Sequence, residues 1–132
     1  MLRAHGVATP EARTILSAPA LQRLQSVAAR VHVEEDLFEY AVALAEYTRT
    51  HPKVLLGASP RASLGLLRAA KAHAVLSGRS YLTPDDIRAV AAYVLAHRLV
   101  VSTELEDETG LRANIIAAAV RDVRYRRSVR PV

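Results

Sequence analysis

The chain has 132 residues, 18 lysines and arginines against 13 acidic residues, and no cysteine, the size of about one domain able to bury a core unaided. The lack of cysteine excludes disulfides, thiolate zinc sites and a thiol nucleophile. The formal charge of +5 belongs mostly to one end: Arg121, Arg124, Arg126, Arg127 and Arg130 stand against Asp122 alone, and the remainder of the chain is close to neutral. No apolar run approaches the ~18 residues of a membrane helix. A soluble, cytoplasmic protein with no membrane partner is expected.

Alanine is abundant, glycine is scarce, and apolar residues recur at helical spacing, so the expected fold is all-α, a small bundle of four to five helices with room for one short strand pair. Residues 1–16, with Pro10 and a short apolar Ile15-Leu16, read as a linker. Ser17 caps a first helix over about 18–30, with Leu21, Leu24, Ala28 and Val31 as its apolar face. A second helix begins at the acidic cluster Glu34-Glu35-Asp36, carries Leu37, Tyr40 or Ala41, Leu44 and Thr48 toward the core, and stops before Pro52.

The third helix starts at Gly57-Ala58-Ser59-Pro60-Arg61. Gly57 permits a sharp turn, Ser59 is placed as N-cap, and Pro60 suits the first helical position. The helix runs to about Leu76, buries Ser63, Leu67, Ala70 and Ala74, and closes on Gly78. Arg61 stands beside free N–H groups that already favour an anion, and it shares a face with Arg68 almost opposite the buried stripe.

Thr83-Pro84-Asp85-Asp86 is the clearest helix start, with Ile87, Val90, Ala91, Val94 and Leu95 following as its buried side. Leu99-Val100-Val101 reads as a short strand paired with Val31-His32-Val33, and Ser102 to Gly110 as an acidic loop. A last helix covers about 111–124, with Leu111, Ile115, Ala118 and Asp122 on one face, and residues 125–132 form the basic tail.

No catalytic set is complete. There is no GxxxxGK[ST] or GxGxxG loop and no GxSxG turn, and His5, His32, His51, His73 and His97 lack the spacing of metal ligands, so no metal site is expected. The acidic groups at 34–36 and 104–108 read as helix-start and loop charges. A nucleic-acid-binding module using the arginine-rich tail is the alternative reading. It is weakened by the absence of a basic recognition face and by few stacking aromatics, five tyrosines and Phe38.

Gly57-Ala58-Ser59-Pro60-Arg61-Ala62, Leu67-Arg68-Ala69-Ala70-Lys71-Ala72, Gly78-Arg79-Ser80-Tyr81-Leu82-Thr83-Pro84-Asp85-Asp86-Ile87 and Val94-Leu95-Ala96-His97-Arg98-Leu99 resemble, in this order, the C-terminal lid of MoxR-type AAA+ ATPases. Tyr40, Thr48-Arg49 and His51-Pro52 lie where that family has similar residues, and the likeness spans about 15–123. The resemblance implies that 17–124 is a helical lid and that 1–16 is the linker from an α/β ATPase core outside this sequence. It implies that Arg61 is the second-sensor arginine reaching the γ-phosphate of ATP, that Ser59 and Pro60 flank the nucleotide, and that the region from Val33 to Tyr40 lies near the adenine. ATP and Mg2+ are implied for the full-length parent and no cofactor for this chain alone. The implied partners are the AAA+ core, neighbouring subunits of a ring, usually a hexamer, and a von Willebrand factor A domain protein. Chaperone-like remodelling or assembly of other proteins is the implied work.

Overall fold

The computed structural model describes residues 13–102, 104 and 109–127. Residues 1–12 of the expected linker, residue 103 and residues 105–108 of the expected acidic loop, and residues 128–132 of the basic tail, Arg130 among them, lie outside the described residues. In chain order the elements are α1 (Ala18–Ala29), α2 (Glu35–Thr50), β1 (Val54–Leu56), α3 (Pro60–Leu76), α4 (Pro84–Leu95), a single 3-10 turn (Ala96–Arg98), β2 (Val100–Val101) and α5 (Leu111–Asp122). The helical bundle with one strand pair is as expected from the sequence.

α3 is the central element and packs against α4, α2 and α1, while α5 closes the other side against α2 and α4. Close approach is possible because the facing positions are small: Ala41, Ala45, Ala62, Ala70, Ala74, Ala91 and Ala119 are all fully buried. Leu44, Leu66, Ile87, Leu95 and Ile116 fill the space between them. The expected stripes of α2 and α3 are buried throughout, and both Tyr40 and Ala41 face inward. On α4, Ile87, Ala91 and Leu95 are buried, with Val90 and Val94 packed half-buried against them.

Three expectations are corrected. β2 pairs antiparallel with β1, Val54 opposite Val101 and Leu56 opposite Val100, rather than with residues 31–33. The 31–33 stretch instead meets 80–82: the His32 N–H donates to Ser80 O at 3.0 Å and the Leu82 N–H to His32 O at 3.0 Å. The inward face of α5 is Leu111, Ile115, Ile116 and Ala119, about one residue round from the expected one, so Ala118 is only half-buried and Asp122 is exposed. The apolar face of α1 is not core either. Leu21 and Leu24 are 49% and 43% exposed, because α1 rests mainly on α3 and nothing covers its outer side among the described residues; Val31, just past its end, is buried.

The far end of α3 is fixed by a helix stop and a buried carboxylate. Gly78 has φ +74°, and its N–H and that of Arg79 return to Val75 O and Ala74 O, both at 2.9 Å, the paired bonds of a Schellman stop. This turn carries Arg79 back over the start of α4, where it forks onto Asp86 with two contacts of 2.6 Å. Asp86 is fully buried and also accepts from His73 Nδ1 at 2.7 Å, from the Thr83 N–H at 2.9 Å and from Thr83 Oγ1 at 2.7 Å. Burial alone would push this carboxyl up, but the donors from Arg79, His73 and Thr83 outweigh it and hold it well below the usual carboxylate range.

A folded-state pKa below the ordinary value of about 3.9 means the contribution of Asp86 to stability is complete above about pH 5 and is lost as pH falls. Asp86→Asn should therefore cost on the order of 2–4 kcal/mol at neutral pH, because it strands buried donors. The difference in urea midpoint between the two proteins should narrow steadily below about pH 4. A difference that does not change with pH would contradict this assignment.

Candidate functional site

The Arg61 end of α3 is built by two successive residues of α2. Thr48, fully buried in the last turn, donates from Oγ1 to Ala45 O at 2.6 Å and accepts there from the Ala58 N–H at 2.8 Å. Arg49 donates from Nε to Ala58 O at 2.8 Å. Both backbone groups of Ala58 are thus satisfied by α2 side chains, which fixes the chain two residues before Pro60. Gly57 makes the approach possible: a Cβ there would lie 2.7 Å from both Cα and N of Arg49, a backbone collision that a small side-chain movement would not relieve.

Ser59 occupies the N-cap position in extended conformation, but its side chain makes no capping hydrogen bond; the Ala62 N–H bonds to Ser59 O at 2.8 Å instead. The expectation that the Ser59 hydroxyl caps α3 is corrected accordingly. Pro60 stands at the first helical position as expected. Arg61 follows, exposed, and its side chain makes no hydrogen bond or ion pair with any described residue. Its guanidinium therefore stands open at the first turn of a 17-residue helix, where the macrodipole adds positive potential.

Tyr40 is not brought to this site. It is 3% exposed, its ring packs edge-on against Tyr125 with centroids 5.9 Å apart, and its hydroxyl accepts from Arg88 Nε at 3.2 Å. The Arg88 guanidinium also lies over the ring, 5.7 Å from its centroid. Expected near an adenine, Tyr40 is a core aromatic whose faces are already covered. Arg68 is exposed and lines the groove between α1 and α3.

The tail is folded back rather than extended at its root. Tyr47 donates to Asp122 at 3.0 Å, Asp122 pairs with Arg121 at 2.8 Å, and Tyr125 donates to Asp36 at 3.2 Å. Arg121 and Tyr47 together hold the Asp122 carboxyl low. Arg124, Arg126 and Arg127 are exposed. Among the described residues no group of three or more histidines and carboxylates could hold a metal, and no helix is long and apolar enough to cross a membrane.

This helical fold, with the Arg61 turn at one end of its central helix, is that of an AAA-type lid. A family model of the AAA lid domain matches residues 46–119. Over 113 residues the chain is 42% identical to Chaperone MoxR1 of Mycobacterium tuberculosis, covering 78% of this chain and 30% of that protein. Over 97 residues it is 39% identical to the uncharacterized protein YeaC of Bacillus subtilis, covering 74% of this chain and 30% of that one. A crystal structure of a presumed ATPase from Cytophaga hutchinsonii superposes with a TM-score of 0.71 at 32% identity, over 77% of this chain and 34% of that one. The chain belongs to the AAA lid domain family, as the lid subdomain of a MoxR-type AAA+ ATPase. It spans about a third of the length of these relatives.

The role of Thr48 and Arg49 is invisible to helical periodicity, since their partner Ala58 lies in a loop ten and nine residues on. The one signal was Gly57, a glycine at the entry to a proline-started helix. Thr48→Val keeps the shape but leaves the Ala58 N–H without its acceptor, and should cost about 1–3 kcal/mol in urea unfolding, with Thr48→Ser much milder. Gly57→Ala should destabilise by a similar or larger amount through overpacking. Near-wild-type stability for both Thr48→Val and Gly57→Ala would show that the loop is not held in this way.

Proposed function

We propose that this lid closes over ATP bound with Mg2+ to the AAA+ core of the same full-length protein, and that Arg61 is its second sensor. The observation that carries the reading is Arg61 itself, an exposed arginine with no partner among the described residues, at a helix start pinned by Thr48 and Arg49. A guanidinium placed against the γ-phosphate would offset charge on the transferring phosphoryl oxygens. Ser59 and Pro60 would flank the phosphates without contributing a charge.

Because the Arg61 turn is tied to α2 on one side and continuous with α3 on the other, loss of the γ-phosphate would be felt as a change in lid angle rather than a local side-chain movement. In the parent protein this motion would drive chaperone-like remodelling or assembly of other proteins. The reading extends to a ring, a hexamer, working in the cytoplasm, with proteins carrying von Willebrand factor A domains among its partners. Support for the chaperone reading comes from the relative named as a chaperone.

The test is Arg61→Ala in the complete ATPase. Steady-state ATP turnover should fall by ~10²–10³ while the thermal midpoint stays within a few degrees of wild type. Unchanged turnover in a properly folded variant would remove the sensor role.

A further inference from the structure

A second arginine reaches the same face of α3 from a distant point in the sequence. Arg98 ends the 3-10 turn after α4, and its Nε donates to Val94 O at 3.0 Å. Its terminal nitrogens have no partner among the described residues. One of them lies 3.8 Å from where a Cβ of Gly65 would stand, so the guanidinium rests on α3 at the position where the helix has no side chain. Gly65 is one turn along from Arg61, and a Cβ on a helix leans toward the N-terminus, so the Arg98 seat faces the Arg61 turn. Arg68, nearly two turns along from Arg61, stands on the α1 side of that face and lines the groove against α1.

Glycine inside a helix costs about 1 kcal/mol relative to alanine. Here it clears a seat for the Arg98 cation one helical turn from the position of Arg61, with no carboxylate paired to either among the described residues. Two such cationic side chains on one face of α3 suit an anion bearing several charged oxygens.

We infer that Arg98 is a second phosphate-binding residue of this lid, forming with Arg61 a two-arginine clamp on the triphosphate of the nucleotide. The inference rests on the sensor reading of Arg61 and extends it to a residue from the end of α4. Arg61 enters from the helix start and Arg98 from the α4 side, so the clamp assembles only when α3 and α4 keep their packing. The same contact ties lid closure to both helices.

Kinetics of the complete ATPase test this, with Arg61→Ala, Arg98→Ala, the double variant, Gly65→Leu and Arg68→Ala assayed for kcat/KM and thermal midpoint. Arg98→Ala should lower kcat/KM about tenfold or more. The double variant should lose less than the product of the two single losses, because both side chains act on one phosphate chain. Gly65→Leu, which keeps every charge but fills the seat, should reproduce the Arg98→Ala loss, and it decides the matter if Arg98→Ala does not fold. Arg68→Ala should stay within about twofold of wild type. An Arg98→Ala enzyme within twofold of wild type, beside an impaired Arg61→Ala, overturns the clamp and leaves the sensor reading standing. An equal loss from Arg68→Ala overturns it too, since the effect would then be diffuse charge. If Arg61→Ala is itself unimpaired, the sensor reading fails and the clamp fails with it.

Discussion

The buried hydroxyl of Thr48 joins the last turn of α2 to the residues that open α3, accepting from the Ala58 N–H while donating to Ala45 O. Arg49 repeats the connection at the carbonyl of the same residue, donating to Ala58 O. A loop passing this close to a helix end would normally leave backbone groups unpaired away from water, and each would cost on the order of a hydrogen bond. Two consecutive side chains remove that cost, and Gly57 removes the steric one. The result is a helix start held in place relative to the bundle, as the sensor role proposed for Arg61 would require.

The other end of α3 is held as firmly, by different chemistry. The Schellman turn at Gly78 returns Arg79 to Asp86, and Asp86 gathers donors from α3, from the connecting turn and from the start of α4. α3 is thus anchored to α2 at its N-terminus and to α4 at its C-terminus, with alanines at the close contacts between. An element fixed at both ends in this way would act as a rigid lever in the lid motion proposed above. The exposed Leu21, Leu24 and Val27 of α1 lie outside this frame, on the side that carries least of the core.

The local signals were legible because each depends on neighbours in sequence. Ser17, Pro60, Thr83-Pro84 and Gly78 mark helix ends through their own backbone preferences, and all of these ends fall where those preferences put them. What was missed depends on partners far along the chain. Asp86 looked like a first-turn charge, although an aspartate three residues after a threonine N-cap is half of a capping box, and the donors that bury it come from His73 and Arg79. Val54–Leu56 is too short to show strand alternation, so its pairing with β2 could not be read. On α5, Ile115-Ile116 followed by three alanines admits two faces, and only packing against α2 and α4 selects one. Periodicity left one core position to Tyr40 or Ala41, and the structure buries both, Tyr40 against Arg88 and Tyr125. At the candidate site, the helix start that carries Arg61 was legible in sequence, whereas the approach of Arg98 to the bare face at Gly65 depends on the packing of α4 on α3.

The most direct measurement is a structure of the complete ATPase with a non-hydrolysable ATP analogue and Mg2+. The account predicts the Arg61 guanidinium within about 2.7–3.2 Å of a γ-phosphate oxygen, with the Thr48 and Arg49 bonds to Ala58 unchanged. A lid closed over the analogue with Arg61 turned to solvent, or with the Ala58 connections broken, would contradict it.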